Sequence, residues 1–195
     1  RGITLGEGDT PLLHAPRLAR ELGLERLHVK NDTVLPTGSL KDRSVTVALT
    51  LARTVGAGAV GVPSSGNHAA SVAAYAAAAG VPAVVMVPAA PSPAKVLQAR
   101  AYGATLLAVR AGFDATFALF KEALKTFGWY SCLSTNPWRN EGKKSYACET
   151  WEDGGAANVL WPPNHKLVRL TLAACGAGNG GCHSPPIPGP SDPSD

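Results

Sequence analysis

The sequence predicts an α/β fold, a three-layer, doubly wound parallel sheet with helices on both faces. Three observations predict it. Short β-branched runs alternate with alanine-rich stretches of helical propensity through the middle of the chain. One of those runs, Pro82–Val87 (PAVVMV), is apolar at consecutive positions, as a strand covered on both faces must be. The helical stretches stop at Gly80 and Gly103, so each strand–helix–strand unit fits a right-handed crossover between parallel neighbours.

The elements follow in order. Arg26–Lys30 (RLHVK) reads as a strand. Pro36-Thr37-Gly38 is a turn, and Ser39-Leu40-Lys41-Asp42 fits a capping box opening a helix from Leu40 to about Val55. Ala59–Pro63 is a buried strand entering the turn Ser64-Ser65-Gly66, with Ser65 as an ordinary N-cap on the simplest reading. His68–Ala79 is a helix ending at Gly80. Beyond the Pro82–Val87 strand, Ser92–Tyr102 is a helix closed by Gly103, and Thr105–Val109 is a strand. Asp114 caps a helix running to Phe127, with Leu119, Ala123 and Phe127 on one face, and Tyr130–Leu133 is a further strand. Residues 56–135 therefore look like a complete small α/β unit. Near Trp151 the composition shifts to glycine and proline, and the stretch 153–195 is expected to be an atypical, partly disordered tail.

Composition narrows the function. Of 195 residues, 45% are hydrophobic and 16% charged, which is globular usage. The net charge of +4 comes from scattered basic residues, giving no electrostatic case for nucleic acid. No apolar run is long enough to span a bilayer, and no signal peptide is visible, so no membrane partner and a cytoplasmic location are expected. The four cysteines show no CxxC spacing, which argues against a zinc ribbon; free thiols and no bound metal are expected. Cys175 and Cys182 with His183 are where a disulfide or a metal clip would otherwise sit. No GxGxxG follows any predicted strand, which argues against a dinucleotide-binding Rossmann protein.

Three features bear on chemistry. Lys41 sits at a helix start, where free N–H groups make a positive field that disfavours an ammonium and lowers the amine pKa. A neutral amine can attack an aldehyde. By spacing alone a solvated surface lysine is the commoner reading of Lys41, because lysines at helix starts are common. Ser64-Ser65-Gly66-Asn67-His68 follows a buried strand and opens a helix, the place where backbone N–H groups favour a carboxylate or phosphate. Gly176–Gly181 (GAGNGG) follows the apolar run Leu167–Ala174; it reads as a linker, or as a loop whose N–H groups wrap a phosphate.

Taken together these residues resemble a known family. Leu5–Leu12 (LGEGDTPL) is similar to the opening of threonine synthases, and Pro36–Arg43 (PTGSLKDR) to the segment whose lysine forms the Schiff base with pyridoxal phosphate (PLP). Ser64–His68 resembles the SSGNH loop, and Asn136–Lys144 (NPWRNEGKK) the stretch that follows the mobile domain. The resemblance implies a PLP-dependent lyase of fold type II, converting O-phosphohomoserine to threonine with release of phosphate. It implies a small mobile domain, 56–135, and an incomplete large domain made of 1–55 and 136–152, truncated after about residue 152. Lys41 would be the catalytic residue. Lys41, Asn67, Gly178, Asn179 and Gly180 would hold the cofactor. Ser64, Ser65, Gly66, Asn67 and His68 would bind a small amino-acid substrate. A homodimer is a further expectation. A serine/threonine dehydratase, a cysteine synthase-like enzyme and an inactive truncated fragment stay open beside it. Leu160–Val168 departs from the family and resembles a motif of secreted bacterial repeat proteins.

Overall fold

A computed structural model describes residues 2–88 and 93–154. The chain begins with β1 (Leu12–His14), α1 (Pro16–Glu21) and β2 (His28–Lys30), followed by α2 (Lys41–Thr54). There follow β3 (Val60–Pro63), α3 (Asn67–Ala79), β4 (Ala83–Val87), α4 (Pro93–Ala101), β5 (Thr105–Ala108), α5 (Phe113–Phe127), β6 (Tyr130–Ser131) and α6 (Pro137–Gly154). β1 and β2 pair antiparallel, with Leu13 opposite Val29. β3 to β6 form one parallel sheet in the order β5-β4-β3-β6. None of the described helices is long and apolar enough to cross a membrane.

The strand order makes the sheet doubly wound. From β3 to β5 the chain steps outward in one direction, and right-handed crossovers put α3 and α4 on the same face. The connection through α5 then returns across the sheet to the far side of β3, which places α5 on the opposite face. Both α3 and α5 pack on β3 and β4, giving three layers. Side chains alternate along β3, so Val60 and Val62 join the α3 core while Gly61 faces α5. A Cβ at Gly61 would lie 2.9 Å from Phe120 Cε2, so glycine is what lets α5 approach.

α2 lies against α3, and α6 against α2. Val45 and Leu49 of α2, Val60, Val62 and Val85 of the sheet and Tyr75 of α3 form one core with no exposed surface. Each such aliphatic side chain contributes about 1.5–3 kcal/mol on burial. Tyr75 donates its hydroxyl to Glu7 Oε2 at 2.7 Å, tying the first loop of the chain to α3.

Several expected details differ, each for a local reason. The capping box does not form. The Asp42 carboxylate turns to Thr37, accepting from its N–H at 2.8 Å and its hydroxyl at 2.6 Å, and two donors outcompete the single N–H of Ser39. α2 therefore starts one residue late, at Lys41, whose N–H donates to Ser39 Oγ at 3.2 Å. α3 is preceded by Gly66 rather than Ser65, with no side-chain cap. α5 is capped at Gly112, leaving Asp114 inside its first turn. Its inward face carries Thr116 and Phe120, while Leu119 and Phe127 are 45% and 64% exposed, because the room at Gly61 selects Phe120. β6 is shorter than expected, although the Cys132 N–H still donates to the Gly61 carbonyl at 3.0 Å.

The helix α6 has no apolar stripe to announce it and is held by α2. At Gly142 the two backbones nearly touch: a Cβ there would sit 2.0 Å from the Arg43 carbonyl oxygen and 2.9 Å from Ser44 Cα. Backbone atoms cannot swing aside as a side-chain tip can. Gly142→Ala is therefore expected to push α6 off α2 and to cost at least about 2–3 kcal/mol, read as a lowered midpoint in urea unfolding with an unchanged slope. A stability within experimental error of wild type would contradict that contact.

Candidate active site

In an open α/β sheet, ligands bind beyond the carboxyl ends of the strands where the winding changes direction. Here that point lies between β3 and β6. β3 runs into Ser64-Ser65-Gly66 and the start of α3, and β6 runs into Cys132 and the turn that starts α6. Asn136 shapes that turn. Its amide donates to the Ser131 carbonyl at 2.9 Å and the Tyr130 hydroxyl at 3.1 Å, and its Oδ1 accepts from the Trp138 N–H at 3.0 Å.

The turn delivers Arg139 to the interior. Arg139 is 3% exposed; it donates to Ser44 Oγ at 3.3 Å and reaches the Cys132 carbonyl at 3.5 Å. Ser44 in turn donates to the Lys41 carbonyl at 2.9 Å. The start of α2, the end of β6 and the start of α6 are thus stitched around one guanidinium, whose Nε is buried without a hydrogen-bond partner among the described residues.

Lys41, Arg139, Lys143 and His68 share this space. Lys41 is half-buried at the first position of α2. Burial first, and the Arg139 charge second, push its amine below the usual lysine range. The direction is the one expected from the helix start, but the causes are desolvation and a neighbouring cation. Lys143 is lowered the same way, by burial, then Arg139, then Lys41. The His68 imidazole is pushed well below its ordinary value by burial, then by Arg139, Lys41 and Lys143. Its Nε2 is buried and has no partner among the described residues. Burial lifts the Cys132 thiol to about 12, partly opposed by Arg139, so it stays a neutral thiol.

No carboxylate answers this charge among the described residues. Asp42 is committed to Thr37, and Glu141 pairs with Lys144 at 2.7 Å. Among the described residues Lys143 donates to the neutral Asn140 amide oxygen, at 3.1 Å. Three cations acting on an imidazole whose Nε2 is buried without a partner among the described residues form a receptor for an anion. The uncapped first turn of α3, with N–H groups lacking intrahelical acceptors, adds donors of the same sense.

Of the expected site residues, the structure brings Lys41 and His68 into Coulombic reach of one another. Ser64, Ser65 and Gly66 are half-buried in the turn beside His68, with the Gly66 N–H donating to Ser64 Oγ at 3.3 Å. Asn67 is exposed at the first position of α3. Gly178, Asn179 and Gly180, like Cys175, Cys182 and His183, lie outside the described residues. Sequence reasoning did not name Arg139 and Lys143 as site residues. Their signal was two basic residues four apart, on one helical face, inside the Asn136–Lys144 stretch. Among the described residues there is no cluster of metal-ligating side chains.

A second network is centred on Arg43 of α2. Arg43 is buried and donates to Asp32 at 2.9 Å, to Glu149 at 2.6 and 2.8 Å and to the Thr10 hydroxyl at 2.9 Å. Lys30 adds ion pairs to Glu149 at 3.1 Å and Asp153 at 2.7 Å. Four separate segments of the chain are locked together around Arg43, two residues after Lys41.

Comparison with known proteins gives the family and the fold. A family model described as pyridoxal-phosphate-dependent enzyme matches residues 3–184, running past Trp151, where the recognisable motifs stop. Threonine synthase of Methanosarcina acetivorans is 41% identical over 148 residues, 75% of this chain and 36% of the relative. Threonine synthase of Mycobacterium leprae is 40% identical over 157 residues, 80% of this chain and 43% of that protein. The chain thus spans well under half the length of these relatives. Among solved structures, apo diaminopropionate ammonia lyase of Escherichia coli superposes with a TM-score of 0.75 at 20% identity, covering 88% of this chain and 56% of that one. O-ureido-L-serine synthase gives 0.71 at 26% identity, covering 80% and 52%.

Proposed function

The chain belongs to the pyridoxal-phosphate-dependent enzyme family, and on that premise we propose that it carries the lysine-bearing part of an active site of the threonine synthase type, acting on O-phosphohomoserine. One observation supports this above the others: Lys41, Arg139 and Lys143 converge around His68 at the carboxyl ends of β3 and β6, with no acidic counterpart among the described residues.

The residues present fit the cofactor at its aldehyde end. Lys41 offers a half-buried amine whose protonated form is disfavoured, so a larger share stands ready as a nucleophile toward an aldehyde carbon. Bound there, pyridoxal phosphate supplies an electron sink for a carbanion at the substrate. The Lys41 amine, once freed, takes and returns protons next to the substrate carbon. The Ser64–Asn67 turn and the first N–H groups of α3 would hold the substrate carboxylate, and Asn67 would meet the cofactor ring. Arg139 and Lys143 take the phosphate of the substrate, and burial of Arg139 excludes the water that would screen it. Gly178, Asn179 and Gly180 remain the residues proposed for the cofactor's own phosphate.

The cations also separate this reading from its nearest rival. A serine/threonine dehydratase handles a neutral hydroxyl and has no use for two more cations beside the lysine. The division into a small domain, 56–135, and a large-domain part, 1–55 with 136–152, belongs to the same proposal; separate four-stranded and two-stranded sheets support it. A homodimer and a cytoplasmic setting accompany it on the resemblance alone.

The test is to load the whole chain with pyridoxal phosphate and supply O-phosphohomoserine, L-serine, L-threonine, or O-acetylserine with sulfide. Threonine and inorganic phosphate in equal amounts are expected from the first alone. Deamination of serine or threonine would favour the dehydratase. Cofactor attachment without turnover would identify a fragment that binds but lacks the remainder of the catalytic machinery.

A further inference from the structure

His68 lies within the field of all three cations. Its Nε2 is buried and has no hydrogen-bond partner among the described residues, and the charges of Arg139 and Lys143 from α6 and of Lys41 from α2 act on it. Asp42, the nearest carboxylate in sequence to Lys41, is turned to Thr37. Placing an imidazolium among three cations with no anion is unfavourable, so the ring is held neutral. A dianion changes that balance. It supplies negative charge against three cations and an acceptor for a new N–H.

We propose that His68 is the proton carrier of this anion site: its Nε2 takes one proton from solvent when a doubly charged phosphate group binds and returns it when that group leaves. This rests on the reading of the cluster as a phosphate site and adds what that reading lacks, a linkage between anion and proton. The balance is simple. One proton moves from water to the Nε2 lone pair, the resulting N–H donates to a phosphate oxygen, and nothing is oxidised or reduced. His68 acts on the bound phosphate, and its specificity follows. A dianion repays protonation; a carboxylate or a neutral hydroxyl in the same place does so far less.

Sulfate is the first probe, because it stays a dianion across the working pH range. Titrated calorimetrically into the whole chain in two buffers of different protonation enthalpy, it is expected to bind with uptake of about one proton, and its affinity to rise about tenfold per pH unit as pH falls towards neutrality. His68→Gln keeps an N–H donor but cannot titrate; it is expected to bind sulfate with no uptake and a flat pH dependence. Arg139→Gln is expected to lose sulfate binding outright. The imidazole nitrogen shifts of His68 in wild type report its protonation directly, so the proposal stands or falls even if a variant does not fold. Inorganic phosphate, added before and after loading with pyridoxal phosphate, distinguishes the two sources of the group. Uptake that persists after loading assigns the site to the substrate's phosphate, and uptake that accompanies loading and blocks added phosphate assigns it to the cofactor's. Either supports the role of His68. Sulfate binding without proton uptake, or uptake retained in His68→Gln, overturns it while leaving the anion site intact. No binding of either anion overturns both, whereas cofactor attachment at Lys41 is read separately and can survive.

Discussion

Lys41→Ala is expected to abolish covalent attachment of pyridoxal phosphate and to reduce any turnover by at least about 10³-fold. The visible absorbance of lysine-bound cofactor should disappear. After borohydride reduction of the wild-type protein, peptide mapping should find the pyridoxyl group on Lys41 and on no other lysine. A second readout separates this from a folding defect. The Lys41 side chain has no ion-pair partner among the described residues and stands against Arg139, so its removal relieves repulsion. Urea unfolding of the variant should show stability equal to wild type or slightly above it, the pattern of a group kept for chemistry at some expense of stability. An alanine variant that still carries the absorbance band would end the assignment of Lys41.

The largest effect on stability is expected at Arg43. Its guanidinium is the shared partner of Asp32 and Glu149, whose side chains are only 10% and 18% exposed. Arg43→Met keeps the apolar stem but leaves Asp32 without its cation and Glu149 with Lys30 alone. Breaking a buried ion pair from one side costs about 3–5 kcal/mol, a large part of the total stability of a small domain. The same network sets the acid limit of the fold. Burial alone would raise the Glu149 carboxyl, but hydrogen bonds from Arg43 and Lys30 outweigh it and hold its pKa at about 2, against an ordinary 4.5. A depressed folded-state pKa means stability present in full above 4.5 and lost as pH falls from there towards 2. Wild-type stability should therefore decline through that window, and the decline should be much shallower in Arg43→Met. A variant as stable as wild type, with an unchanged acid limb, would show that the network is not what holds α6 to α2.

How far the site could be read in advance depended on the kind of residue. Lys41 and the Ser64–His68 turn stood out because each opens a helix after a turn or a buried strand, and local sequence reports local geometry well. Arg139 did not stand out. Its role comes from Ser44, 95 positions away, and from the end of β6. The same holds for Gly142, an unremarkable glycine in sequence and the point of closest approach between α2 and α6. Asp42 misled for the opposite reason. It fits a local capping pattern, yet the Thr37 side chain and N–H offered a better pair of donors. Leu119 and Phe127 marked an apolar face on α5, but the room above Gly61 turned Phe120 inward instead.

The sequence alone was not sufficient for β1, α1 or α6, but it was sufficient for the alternation of strands and helices from α2 to β6, for most of their ends to within about a residue, and for the motifs that mark the family. These depend on neighbours a few residues apart, through periodicity, β-branching and glycine stops. Tertiary structure decided the strand order β5-β4-β3-β6, the pairing of β1 with β2, and the gathering of Lys41, His68, Arg139 and Lys143 at the reversal between β3 and β6. It also decided the chemistry. A lysine or a histidine has an ordinary pKa until burial removes its water and a distant cation is brought beside it, and only the folded chain does both.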